Sequence, residues 1–325
     1  MPFARPPSTL GENTLLPARP LKIAIVGAGA VGAYYGCVLA RAGHDVHFLL
    51  RSDYAFVREH GYQVRTGQED FRLFPAKVAR SSAGIGPCDL VIIALKTTAN
   101  AAFPELLPPL DDAGRTLFLT LQNGLGNVEA LARLFPVRRL AAGLCFVCIN
   151  RTAPGVIESY IQGRVQMAGV GPGAQGLARE LAGLFAGAGI ACRAMDSLDE
   201  VLWKKLCWNI PFNGLAIAAG GIATDKIAAS PALMKLAHAL MEELRAAALA
   251  HGIAIPDAFI VSQLNSLQGM GPYKPSSLVD YLGRRPVEVD SIWGEPLRRG
   301  QARGLPMSRL EVLHALLCHL VGDKC

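Results

Sequence analysis

Three groups of residues in this 325-residue chain combine types and spacings suited to chemistry. The first is Gly27-Ala28-Gly29-Ala30-Val31-Gly32, which follows the apolar run KIAIV and opens the helical pattern GAYYGCVLARAGH. In that setting a GxGxxG turn is a dinucleotide-binding signature. Its first glycine makes the tight turn, its second lets backbone approach a pyrophosphate, its third lets helix pack on strand, and the helix amides face the phosphates. Nineteen residues after Gly32, at the end of the next apolar run, stand Arg51 and Ser52. A carboxylate there would grip the ribose hydroxyls of NAD, whereas a guanidinium pairs with the extra phosphate of NADP. Arg51 therefore predicts NADPH over NADH, with Asp53 beside it leaving some NAD use open.

The second group is Lys205, Asn209 and Asn213. Steps of four drift only about 40° around a helix, so the three polar side chains share one stripe. The neighbours Leu206, Cys207, Trp208, Ile210, Phe212 and Leu215 are apolar. A buried polar stripe must be hydrogen-bonded internally or meet a ligand, and spacing alone leaves both open, along with a solvent-facing stripe. The third group is Lys96 and Asn123, polar residues at the ends of apolar runs; on its own Lys96 reads as a surface strand-end lysine.

The elements that must position these groups follow from periodicity. From Leu21 to about Arg193, short apolar runs (KIAIVGAG, DVHFLL, CDLVIIALK, RTLFLTLQNG) alternate with helical patterns in the rhythm of βαβ units. GLCFVCINRTAPGVIESY and GRVQMAGV add strands expected to run antiparallel. This predicts an α/β fold whose N-terminal part is a Rossmann-type doubly wound sheet, with ligands outside the carboxyl ends of the strands, where Gly27, Arg51, Lys96 and Asn123 fall. After DSLDEV apolar residues recur at three and four, and segments 199–219, 231–251 and 306–321 read as helices. The expected organisation is a flexible, proline-rich leader over 1–20, a nucleotide-binding domain over 21–193 and a mainly α-helical C-terminal domain over 194–325.

Composition excludes other classes. The chain is 51% hydrophobic and 18% charged, which is a globular composition rather than a disordered one. The net charge of +6 comes from scattered residues and short pairs such as Arg138-Arg139, expected on solvated faces. No basic run or aromatic-interleaved stripe suggests a nucleic-acid partner, and the excess suits a small anionic ligand. The uncharged stretches 23–40 and 206–224 are broken by glycines, asparagines or Pro211, so no membrane span is expected. The eight cysteines lie mostly in apolar runs, as free thiols of a reducing cytoplasm do. Cys145-x-x-Cys148 has no second pair, and on a strand its sulfurs point to opposite faces, so no metal site is expected.

The ordered set GAGAVG, Arg51, Lys96-Thr97, LQNGLGN, WKKLCWN, Asn213, KPSS and RRPVEVD resembles the ketopantoate reductase (2-dehydropantoate 2-reductase) family from Leu21 to the C-terminus. The resemblance implies reduction of a 2-oxo acid, ketopantoate first among them, by NADPH in a cleft between the two domains. It implies Lys205 as general acid, with Glu288 orienting the lysine or the substrate, and substrate contacts from Asn209, Asn213, Ser276 and Asn123. It further implies that the Gly27–Gly32 turn, Arg51, Ser52, Lys96 and Asn123 serve the cofactor, and a homodimer face on the apolar helices is in keeping with it. The assignment of Lys205 agrees with the physics, because a protonated amine can neutralise and protonate the oxygen of a carbonyl being reduced. Burial would lower its pKa and a nearby Glu288 would keep it charged; the sequence leaves both open.

The chain also departs from the family pattern. Pro211 stands inside the polar stripe, predicting a kinked helix, and Gly214 follows where proline is common. Val287 precedes the glutamate where threonine is common, and SIWGEP places Trp293 where asparagine is common. These departures keep open a different 2-oxo acid, and physiological operation in the oxidative direction would use the same residues. A non-catalytic NADPH sensor would need the glycine turn and Arg51 but not Lys205, Asn209, Asn213 and Glu288 together.

Overall fold

The computed structural model describes residues 15–171 and 173–322. Its first half is built on a ten-stranded sheet. The strands are β1 (Lys22–Val26), β2 (Asp45–Leu49), β3 (Tyr62–Arg65), β4 (Phe71–Leu73), β5 (Lys77–Ala79), β6 (Leu90–Ile93), β7 (Leu117–Thr120), β8 (Leu140–Ala153), β9 (Val156–Gly169) and β10 (Cys192–Ala194). Their order is β4-β3-β9-β8-β7-β6-β1-β2-β5, with β10 also on β9. The run from β5 to β8 is parallel, and β9 returns antiparallel to β8. The sequence GLCFVCINRTAPGVIESY thus folds as a hairpin turning at Pro154 and Gly155, joined by GRVQMAG in its second strand.

Both faces of the parallel strands are buried, which is why they read as continuous apolar runs. Along β1, Ile23 and Ile25 enter one core with Leu39, Phe48 and Phe185, while Ala24 and Val26 enter another with Phe103, Phe118 and Leu131. A third core fills the helical half, where Leu198–Ala218, Pro231–Ala250 and Ser308–Val321 pack together around Trp203, Ile210, Leu244 and Trp293. Leu125, from the loop after β7, joins this third core and fastens the sheet edge to the helices.

Residues 1–14 of the expected leader lie outside the described residues. Leu15 and Leu16 donate their amides to the Glu180 carboxylate, and Arg19 forms a bidentate pair with Asp89. The Arg138-Arg139 pair is not a wholly solvated face, because Arg139 is buried, bonded to Asp111 and set against the rings of Phe118 and Phe135. The helix carrying Pro211 is continuous from Leu198 to Ala218. Trp293 is fully buried, and its indole N–H donates to the Ile210 carbonyl at 3.0 Å. The two departures therefore meet in the core.

Candidate active site

The glycine turn has the geometry its sequence predicts. Gly27 sits at φ +98°, and a Cβ there would stand 2.3 Å from the Leu95 amide nitrogen, so this position requires glycine. A Cβ on Gly32 would strike the Gly27 carbonyl at 2.3 Å, so the third glycine lets helix Ala30–Arg41 start against the turn. Around Gly29, by contrast, there is nothing within 4 Å of an added Cβ. Gly29 is also the N-cap and offers no side-chain cap, so the first-turn amides next to Ala30 and Val31 are available to an anion. The open side of Gly29 together with these amides fits a pyrophosphate.

At the end of β2, Arg51 is exposed and makes no ion pair among the described residues. Asp53 is buried, with one carboxylate oxygen accepting from Arg151 at 2.6 Å and the other from the Ser52 hydroxyl at 2.9 Å. Both oxygens of the acid that left NAD use open are thus already engaged, as is the Ser52 hydroxyl.

Lys96 follows β6 and reaches across to the helical half. Its ammonium donates to Asp280 at 2.5 Å and to Glu288 at 3.4 Å, while the other Glu288 oxygen accepts the Thr97 amide at 2.8 Å. Burial works against the charge on Lys96, but Glu288 and Asp280 outweigh it and hold the pKa above the ordinary lysine value. Of the two roles the resemblance left open for Glu288, contact with Lys205 is not formed: Glu288 is turned toward Lys96 and Thr97. Ser291 completes this seam by bonding the Thr97 hydroxyl at 2.8 Å and accepting the Leu125 amide at 2.9 Å.

Lys205 lies instead against the edge of the sheet, donating to the Cys145 carbonyl at 2.8 Å. Burial lowers its pKa to about 8, Cys145 acting in the opposite sense and Arg164 reinforcing the fall. Of the two influences left open by the sequence, desolvation prevails. One helical turn on, Asn209 is buried without a hydrogen bond among the described residues. A further turn on, Asn213 accepts the Ser277 amide at 3.0 Å through Oδ1, while its buried Nδ2 has no partner among the described residues. Asn213 thus meets Ser277, whereas Ser276 is exposed at the start of helix Ser276–Leu282. Two buried amides with unused hydrogen-bonding capacity beside an ammonium suit a ligand carrying oxygen atoms.

Asn123 follows β7 in a loop fixed by an amide network. Gln122 donates to the Leu95 carbonyl at 3.0 Å and to Asn100 at 2.8 Å. Asn100 donates to Asn127 at 2.8 Å, and Asn127 to the Asn123 carbonyl at 2.9 Å. Sequence reasoning missed this network, the acid Asp280 and the seam residue Ser291. Asp280 carried one signal, its spacing of four from Ser276 on one helix; the others carried none beyond ordinary polar character.

The family described as ketopantoate reductase PanE/ApbA matches residues 23–172, and its C-terminal counterpart matches residues 197–320. A 2-dehydropantoate 2-reductase from Nostoc sp. is 38% identical over 308 residues, covering 93% of this chain and 95% of that protein. The crystal structure of a 2-dehydropantoate 2-reductase from Geobacter metallireducens superposes with a TM-score of 0.89 at 44% identity, covering 92% of this chain and 99% of the other. That of a 2-dehydropantoate 2-reductase from Methylococcus capsulatus superposes with a TM-score of 0.82 at 32% identity, covering 92% and 96%. With both halves matched in order and the glycine turn, lysine and asparagine stripe in place, the chain belongs to the ketopantoate reductase family.

Proposed function

We propose that this protein reduces a 2-oxo acid to the 2-hydroxy acid with NADPH, ketopantoate being the first substrate to test. The observation that carries the reading is Lys205: an ammonium with no carboxylate partner among the described residues, its pKa lowered to about 8, at the carboxyl edge of the sheet on the stripe of Asn209 and Asn213. When bound, the reduced nicotinamide supplies hydride to the substrate. Reduction of a carbonyl leaves negative charge on its oxygen, and Lys205 is the donor that neutralises and protonates it.

Asn209, Asn213 and the Ser276 hydroxyl hold the carboxylate and hydroxyl of the substrate. The Gly27–Gly32 turn holds the pyrophosphate, Arg51 the 2′-phosphate, and Lys96 and Asn123 the sugar and the nicotinamide side. Glu288 positions Lys96 and the Thr97 amide. In this reading residues 21–193 form the nucleotide domain and 194–325 the substrate domain.

A homodimer is supported by Val312, Leu316 and Leu320, spaced by four on the outer face of helix Ser308–Val321, beside the exposed Leu236. No described helix is long and apolar enough to cross a membrane, and a cytoplasmic location is the reading in keeping with the free thiols of Cys37, Cys88, Cys145, Cys148, Cys192 and Cys207, although Cys318, expected to be a free thiol, is disulfide-bonded. The deciding experiment follows loss of NADPH absorbance with ketopantoate and a panel of other 2-oxo acids, with NADH in parallel. Efficient turnover of ketopantoate is expected; tight NADPH binding without turnover of any member would overturn the catalytic reading.

A further inference from the structure

The surroundings of Lys205 follow from how β8 runs past its neighbour. The last residue of β7 in the ladder is Thr120, opposite Ala142, so β8 continues beyond it. Val165 gives its amide to Ala191, which makes Cys145 and Val165 a non-hydrogen-bonded antiparallel pair and turns the Cys145 carbonyl toward the side β7 has left. Lys205 occupies that carbonyl.

One residue on, the ladder is broken. The register shifts between Phe146 and Cys148, and Gly163 on β9 adopts φ +52°, where a Cβ would lie 1.8 Å from the Phe146 carbonyl oxygen. Bulges of this kind re-aim a side chain. The Phe146 ring lies with its centroid 4.2 Å from the Lys205 ammonium and 5.4 Å from the Arg164 guanidinium carbon.

We propose that Phe146 is a positioning residue whose ring, aimed by the bulge at Gly163, holds the Lys205 ammonium at the sheet edge in the orientation that protonates the substrate oxygen. The proposal rests on the reading of Lys205 as the general acid. A ring quadrupole attracts a cation without supplying a negative charge, so it fixes the position of the lysine yet leaves the proton easy to release. A carboxylate in its place would bind the proton far more firmly. The titratable and charged groups facing Lys205 are Cys145 from β8 and Arg164 from β9. Burial pushes the Cys145 thiol up to about 11.

The test uses the full-length protein labelled with ¹³C at lysine Cε, the Lys205 resonance being identified by its loss in Lys205→Arg. In the wild-type protein a ring current should displace the Lys205 Cε protons upfield; ordinary shifts would overturn the contact without recourse to any variant. Phe146→Leu keeps apolar volume and removes the ring. It should lower both the Lys205 titration midpoint and the alkaline inflection of kcat/KM by about half to one pH unit. Phe146→Tyr should restore both, a rescue that a merely structural role would not require. An unmoved midpoint in a Phe146→Leu protein of unchanged Tm would overturn the proposal. A midpoint that moves while the kinetic inflection stays would instead overturn Lys205 as the acid, and the role of Phe146 with it.

Discussion

Gly214 and Trp293 share one volume: a Cβ on Gly214 would stand 2.9 Å from the indole nitrogen of Trp293 and 2.8 Å from Leu313. The missing methyl lets the indole approach the helix and donate to the Ile210 carbonyl, just before Pro211. Gly214→Ala should therefore overpack the core and destabilise the fold by about 1–3 kcal/mol. Trp293→Phe removes the indole donor and should also destabilise, while a double-mutant cycle should give coupling because the two sites touch. Urea unfolding of the four proteins measures this, and additive effects would show that the fit carries no energy.

Much of this arrangement was legible in the sequence because it is local. The glycine turn, the doubly buried strands and the Lys205-Asn209-Asn213 stripe each depend on spacings within one or two elements, where the periods 2 and 3.6 act directly. What was not legible depends on residues far apart in the chain. Glu288 could be placed near the site but not assigned to Lys96 rather than Lys205, since that choice is made where β6 meets the helical half. Phe146 reads as one more apolar residue of a strand, and only the bulge opposite Gly163 turns it toward an ammonium; a glycine inside a strand pattern is the sole local sign of such a bulge. Trp293 and Gly214 read as two unrelated departures because their contact joins separate elements.

The lowered pKa of Lys205 sets a pH dependence. A proton donor must be protonated, so kcat/KM for reduction should be level below about pH 8 and fall as pH rises through that value. Oxidation of the hydroxy acid needs the free amine and should rise through the same value. Lys205→Ala should lower turnover by roughly 10²–10⁴-fold and abolish the inflection while leaving NADPH affinity nearly unchanged. Near wild-type turnover in that variant would remove Lys205 from the mechanism.

Arg51 is exposed and without an ion-pair partner among the described residues, while Asp53 is held by Arg151 and Ser52. Charge-assisted hydrogen bonds contribute about 1.5–3 kcal/mol, so Arg51→Ala should weaken NADPH by roughly 10- to 100-fold with little effect on NADH. Fluorescence titration with both cofactors measures the ratio, and an unchanged preference would reject the phosphate contact.

Lys96 offers a contrast to Lys205. Its pKa is raised because Glu288 and Asp280 outweigh burial, so its stabilising contribution is fully present below the ordinary lysine value of about 10.4. That contribution is lost only as pH climbs through the still higher folded value. Between about pH 7 and 9 Lys96 therefore keeps its charge, and of the two lysines it is Lys205 that titrates there. Lys96→Ala removes the cation shared by two buried carboxylates and loosens the seam between strand end and helices. It should lower Tm and reduce kcat/KM by a similar factor across that range while leaving the inflection near pH 8 in place. A displaced inflection would mean that Lys96 and Lys205 act as one coupled pair, and that the carboxylates holding the first also set the acidity of the second.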